Sequence, residues 1–371
     1  MKILIFSDFA GNLGDAIRIR KIYDYLRKNH DVVLCNVRYF YKPRLKLLQH
    51  PTVAASAVQG FMRDKHIAPY RIYEKLAKEI LIQQIKKVKP DIILAEGVVL
   101  GTAAIQIPEN SARVIVDIHG LASFEYQENP YTETNARKLR LLQDMEQQVI
   151  EKSWKVLVVS KNMARYMNQY LGAKRGKMII VRNGSDVQEK IAMYKTPLNV
   201  IFGGIFAFWE NIDTYMDMVY YDTTKSCFNL LGRGPLKKGI LGCIKKRKLP
   251  VRYLGYMSRE ESLRVFSGMN VGVAPTSNNV TRSIALPIKV FDYMACGLPV
   301  ITQKYGEWGQ IVKKEGCGIV TKRSDGKEFA EALKQMTEKK IWQEMANNSV
   351  RAIQTKYNWE SVLAPLNQAV E

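Results

Sequence analysis

The stretch IALPIKVFDYMACGLPVIT, residues 284–302, carries two charges where its pattern asks for none. Ile288, Val290, Phe291, Met294 and Ala295 have the spacing of a buried helix, yet Lys289 and Asp292 sit among them, three residues apart and so on one helical face. Such a pair is either a local ion pair on a face that sees water or a sign that the helix start has work to do. The run LPVITQ that follows is rich in β-forming residues, and this junction of helix and strand recurs along the chain.

Working outward, the first half contains the short β-rich runs KILIFS, DVVLCNV, DIILAE, RVIVDI, KVLVVS and KMIIVRN, each followed by a helix-like pattern. The second half repeats the alternation with LNVIFGG, CFNLLG, VRYLGY, VGVAP, LPVITQ and GIVTK. Alternating strands and helices predict parallel sheets, and the near repetition predicts an α/β chain of two Rossmann-like units in tandem. Neither half has G-x-G-x-x-G after its first strand, which argues against a dinucleotide site. Polar residues and Pro197 in EKIAMYKTPLN mark the change of unit at about 190–198. The expected division is 1–192, 193–355 and a last helical segment, 356–371, lying across the first unit.

At 371 residues the chain exceeds the usual size of a single core, which agrees with two domains. No apolar run approaches the length of a spanning helix, and the run after Met1 is too short for a signal peptide, so a cytosolic location is expected. Five scattered cysteines without C-x-x-C spacing read as reduced, packed thiols, and the four histidines show no metal-ligand spacing. Of the formal charge of +21, residues 38–89 carry +9 and residues 232–259 carry another +9. Local excesses of this kind attract nucleic acid, anionic headgroups or polyanionic substrates, or simply solvate a face.

In open α/β sheets ligands bind beyond the carboxyl ends of the strands, where helix N-termini point. Pro287 has the φ favoured at a first helical position, so the helix of the opening stretch aims its amides at whatever anion occupies that edge. Lys289 in the first turn then suits a phosphate, and the Asp292 carboxylate one turn on can accept both hydrogen bonds of a vicinal diol such as a ribose. Phosphate and diol together mean a nucleotide.

LPIKVFDYMACGLPVIT resembles the P-x-K-x-F-E-Y-M-A-x-G-x-P-V-I segment of GT-B glycosyltransferases, in particular the large retaining family 4. The pieces FAGNLGD, VDIHG, VVSKNM, VRNGSD, VIFGGIFAFWENID, LLGRGP and YLGYMSREESLRVFSGMNVGVAP fall in that family's order, so the resemblance covers nearly the whole chain. It implies a GT-B fold, two Rossmann-like domains facing across a cleft, and metal-independent transfer of a sugar from a UDP- or GDP-sugar to an acceptor hydroxyl with retention. It further implies that Asp292 holds the ribose and that Lys289, with Pro287 and Ile288 at the helix start, meets the phosphates. Gly11 and Gly14 would let backbone approach phosphate or acceptor, and His119 would touch the transferred sugar. Gly204, Trp209, Gly232 and the Gly255, Tyr256, Met257 loop would complete the donor site. Plain alternatives stand beside these: a loop histidine, a core tryptophan, an ordinary turn.

Four positions depart from the family pattern, the first being Asp292 itself, one methylene shorter than the usual Glu. Ile284 stands where the first of two acids is usual, and Ile205 and Glu210 fall where the G-R-x-x-x-x-K phosphate clamp would put its cations. Arg282, in the loop before Pro287, is the nearest replacement in sequence and suits a bidentate phosphate contact, unless it is only an exposed loop residue. The family's first unit commonly binds a lipid-linked or surface glycan acceptor. Mixed aromatic, aliphatic and basic residues over 38–89 fit a peripheral position on an anionic membrane surface. Rival readings are a GT-B nucleotide-sugar 2-epimerase, a non-catalytic nucleotide-sugar-binding homologue and a nucleic-acid-binding protein; no reader motif supports the last.

Overall fold

The computed structural model describes residues 1–8, 14–38, 68–107, 111–131 and 133–371. Each of the twelve β-rich runs contains a strand that extends at most one residue beyond it. β1 (Lys2–Ser7), β2 (Asp31–Asn36), β3 (Ile92–Glu96), β4 (Arg113–Ile118), β5 (Lys155–Val158) and β6 (Met178–Ile180) form one sheet in the order β2-β1-β3-β4-β5-β6. β7 (Asn199–Ile205), β8 (Cys227–Arg233), β9 (Val251–Tyr253), β10 (Val271–Ala274), β11 (Val300–Gln303) and β12 (Gly318–Thr321) form a second, in the order β12-β11-β10-β7-β8-β9. Among the described residues every strand pairing is parallel. Helices cover both faces of such sheets, so central strands bury both of theirs: Ile3 to Phe6 of β1 and Val200 to Phe202 of β7 are inaccessible to solvent.

Strand order places the ligand edge of each sheet. In the first sheet the order changes direction between β1 and β3, and in the second between β7 and β10. Loops leaving two such neighbours diverge and leave a crevice at the carboxyl ends. Asp8 and Glu96 stand at that position in the first sheet; the turn Phe208–Glu210 and the loop Pro275–Asn279 stand there in the second.

The helix of the opening stretch runs from Ile288 to Ala295 with all but Lys289 buried, which is the mark of a core helix. Pro287 has φ −70° as expected, but its ψ of 128° makes it the residue before the first helical turn rather than a member of it. The Tyr293 hydroxyl accepts from the Gly203 amide at 2.7 Å, which ties the helix to β7.

The compact units divide at Val181 and Arg182, earlier than the expected 190–198, because the residues after β6 find their partners in the second unit. Arg182 Nε donates to Glu307 at 2.8 Å and Asn183 Nδ2 to the Leu286 carbonyl at 2.6 Å. Leu363–Glu371 groups with the first unit, where Arg113 donates to the carbonyls of Val370 and Glu371. Of the cysteines, Cys35, Cys296 and Cys317 are packed thiols whose pKa burial raises; Cys227 is exposed, because it opens β8 at the rim of the sheet. No described helix is long and apolar enough to cross a membrane.

Candidate functional site

In the second unit Lys289 and Asp292 do not pair with each other. Each has a partner brought from elsewhere in the chain. Asp292 is only 6% exposed, and its Oδ1 accepts from Ser185 Oγ at 2.7 Å and from an Arg259 terminal nitrogen at 2.6 Å. The same Arg259 nitrogen reaches Ser185 Oγ at 3.0 Å, so the three side chains close a small network around one carboxylate oxygen. Arg259 opens the helix Arg259–Phe266, whose start is fixed by a capping box between Ser258 and Glu261. Ser185 belongs to VRNGSD, and neither residue is marked for this role by the sequence.

Lys289 Nζ pairs with Glu210 Oε2, and Arg282 approaches Glu210 Oε1 at 3.8 Å. Glu210 is 3% exposed, so a carboxylate sits where the family pattern calls for a cation. Arg282 is buried rather than an exposed loop residue; its Nε donates to Thr276 Oγ1 at 2.8 Å. Burial pulls the Lys289 ammonium below its ordinary pKa, against the opposing pull of Glu210.

The remaining expected donor residues form a continuous strip from this point. Lys289 passes over Gly204 at the end of β7, and the Gly204 carbonyl lies so close to Gly232 on β8 that a side chain there would stand 1.8 Å from it. With φ of +142°, Gly232 has no tolerable replacement. Its amide donates to the Gly255 carbonyl at 2.8 Å, leading to half-buried Met257 and to Tyr256, which is exposed with the Arg233 guanidinium 3.8 Å over its ring. Half-buried Trp209 lies edge-on to Phe208, and its carbonyl accepts from Thr276 Oγ1 and the Ser277 amide, which fixes the turn bearing Glu210.

In the first unit Gly14 opens the helix Gly14–Leu26, whereas Gly11 lies outside the described residues. His119 follows β4 and is 34% exposed at its side chain, with Nε2 3.5 Å from Glu96 Oε1 at the end of β3. That distance is an ion-pair contact without hydrogen-bond geometry, and neither Glu96 Oε2 nor His119 Nε2 has a hydrogen-bond partner among the described residues. Burial opposes the charged ring, but the contact with Glu96 and the charges of Asp117 and Glu96 outweigh it, and the His119 pKa is raised to about 9. Below the pair, Arg18 binds Asp117 in a fork of 2.8 and 2.7 Å and donates to the Val181 carbonyl at 2.9 Å, with both side chains buried. The turn after His119 is pinned by Glu146, which accepts from the Ser123 amide and hydroxyl. An acid closing an otherwise apolar strand run, DIILAE, is the one sequence signal that could have singled out Glu96.

The acid and cations of the second unit have the chemistry to hold a diol and phosphates; the first unit, described by itself, offers an imidazolium beside an acid. Residues 197–339 match the family described as Glycosyl transferases group 1, and residues 14–189 match Glycosyltransferase Family 4. The chain belongs to these glycosyltransferases and has their GT-B fold. Chitobiosyldiphosphodolichol beta-mannosyltransferase of Kluyveromyces lactis is 24% identical over 216 residues, 57% of this chain and 45% of that protein. The Candida albicans protein of the same name is 22% identical over 190 residues, 44% of this chain and 41% of its own length. The chain thus spans under half the length of both relatives. Among solved structures, sucrose-phosphate synthase from Thermosynechococcus elongatus superposes with a TM-score of 0.78 at 15% identity, covering 100% of this chain and 98% of the other. HepE from Anabaena in complex with UDP-glucose gives 0.73 at 14% identity, covering 100% and 99%.

Proposed function

We propose that this chain transfers a sugar from a nucleotide-diphosphate sugar to a hydroxyl of a glycan or lipid-linked glycan, with retention at the anomeric carbon. The observation that carries the reading is the grouping of Asp292, Lys289 and Arg282 where the second sheet changes direction. Asp292 takes the ribose diol, exchanging part of its network with Arg259 and Ser185 for the ligand's hydroxyls. Lys289, Arg282 and the amides at the start of the helix Ile288–Ala295 stabilise the departing diphosphate, so the chemistry asks for no metal. His119 acts as a cation and hydrogen-bond donor toward the transferred sugar; a ring charged at neutral pH is a poor general base.

Two likenesses support the substrates. HepE, of the same fold, is solved with UDP-glucose, and the Kluyveromyces and Candida relatives are named for a lipid-linked chitobiose acceptor. The first unit, with the basic stretch 38–89, takes the acceptor at the cytoplasmic face of a membrane. Of that stretch the structure describes Arg38, the helix Ala68–Val88 and Lys89; Lys75, Lys86, Lys87 and Lys89 are exposed.

A thermal-shift series with UDP, GDP and their hexose conjugates tests the donor site. One nucleotide is expected to raise the melting temperature of the wild type, and Asp292→Asn and Lys289→Ala to reduce that rise; equal shifts in all three proteins would remove the assignment. Incubation of the binding donor with a polyprenyl-diphosphate-linked glycan then shows transfer, and the anomeric proton of the product decides between retention and inversion.

A further inference from the structure

The buried cluster at the second sheet's crevice has an uneven charge count. Two cations, Lys289 and Arg282, face one carboxylate, Glu210, and all three side chains are largely withdrawn from water. An excess positive charge held in a poorly solvating interior favours a further anion. A phosphate group supplies one, with oxygens suited to the flat guanidinium of Arg282.

Yet the best contact on Lys289 is already taken. Glu210 holds its ammonium directly, and the position is tightly bounded: the nitrogen lies 4.4 Å from the Phe202 ring centroid and 3.1 Å from where a Cβ on Gly204 would stand. Glu210 is equally constrained. It ends the turn Phe208–Glu210, whose carbonyls at Phe208 and Trp209 are bonded by the hydroxyls of Ser277 and Thr276. An arriving phosphate therefore meets a carboxylate it must share Lys289 with or push aside, and the two anions repel.

From this we infer that Glu210 is a built-in competitor of the donor's diphosphate. It keeps Lys289 and Arg282 in position between turnovers and weakens their hold on the nucleoside diphosphate, so that the spent leaving group departs readily. Glu210 thereby sets nucleotide affinity in place of the missing clamp. The inference rests on the reading of the second unit as the donor site.

Calorimetric titration of UDP and of GDP into wild type, E210Q, K289Q and E210Q/K289Q at low ionic strength tests it. With Glu210 as competitor, E210Q binds the nucleotide that the wild type binds about tenfold more tightly. K289Q binds more weakly than the wild type, and the double substitution recovers most of that loss, because removing Lys289 alone leaves the carboxylate to repel the ligand. The idea is overturned if E210Q binds no more tightly than the wild type, or if the double variant is as weak as K289Q. Should E210Q not fold, the comparison of K289Q with the double variant decides, since removing both members of a buried pair is better tolerated than removing one. If neither nucleotide nor its hexose conjugate binds any of the four proteins, the donor-site reading falls and this inference with it. A wild type that binds, beside an E210Q that gains nothing, brings down the role of Glu210 alone.

Discussion

The carboxyl edges of the two sheets handle buried charge in opposite ways. In the second unit the acids at the edge are matched: Asp292 by Arg259 and Ser185, Glu210 by Lys289 and Arg282. In the first unit the matched pair, Arg18 with Asp117, lies beneath the edge, while the upper pair, Glu96 with His119, keeps buried atoms without hydrogen bonds among the described residues. Buried polar atoms are rarely left so. Asp8, at the same edge of the first unit, is matched by Arg38 and Tyr73, so the difference between the two edges rests on Glu96 and His119, which meet only as an ion-pair contact at 3.5 Å.

The most damaging change should be to the matched pair of the first unit. Arg18→Met leaves Asp117 charged, inaccessible to solvent and without its fork, so unfolding by denaturant should show a loss of about 3–5 kcal/mol. A loss under about 1 kcal/mol would mean that Asp117 is not held as described. In the second unit, Asp292→Asn should lower affinity for the bound sugar nucleotide by about tenfold or more. Arg259→Met should cost less binding, because the carboxylate keeps Ser185 and remains open to the ribose; the reverse ranking would show that Arg259, not Asp292, meets the ligand.

Glu96→Gln sharpens the comparison from the other side. His119 has a raised pKa, so its charged form is favoured by folding. The stabilisation is complete below the ordinary histidine value near 6.5 and is lost as pH rises toward about 9. The substitution removes the nearby charge while keeping the side chain's shape, and NMR titration should then find the His119 midpoint displaced downward toward the ordinary range. An unmoved midpoint would deny the pair any electrostatic link. The smallest effect expected is that of Ser185→Ala, which takes one hydrogen bond from Asp292 and should cost about 1 kcal/mol or less by thermal denaturation, since Arg259 still serves the same oxygen.

What the sequence discloses and what it hides follow from distance along the chain. Strands of a parallel sheet are buried on both faces, so they stand out as short apolar runs, and all twelve could be read directly. Lys289 and Asp292 were legible because a charge inside a core-helix pattern is locally anomalous. Their partners were not, for Glu210 lies 79 residues from Lys289 and Ser185 lies 107 residues from Asp292. Nothing local distinguishes a glutamate that will be buried against a lysine from one that will be solvated. The unit division falls ahead of the polar stretch for the same reason: composition marks where the chain turns polar, whereas Arg182, Asn183 and Ser185 already bond distant groups, namely Glu307, the Leu286 carbonyl and Asp292.

The strip Leu363–Glu371 carries a consequence for biogenesis. Its Leu366, Ala369 and Val370 are buried in the first unit, and Arg113 on β4 bonds its carbonyls. During synthesis the nascent first sheet must therefore persist without that covering while the whole second unit is translated. A fragment stopped at Val181 should be prone to self-association through the uncovered apolar ground, and supplying the strip as a separate peptide should quieten it.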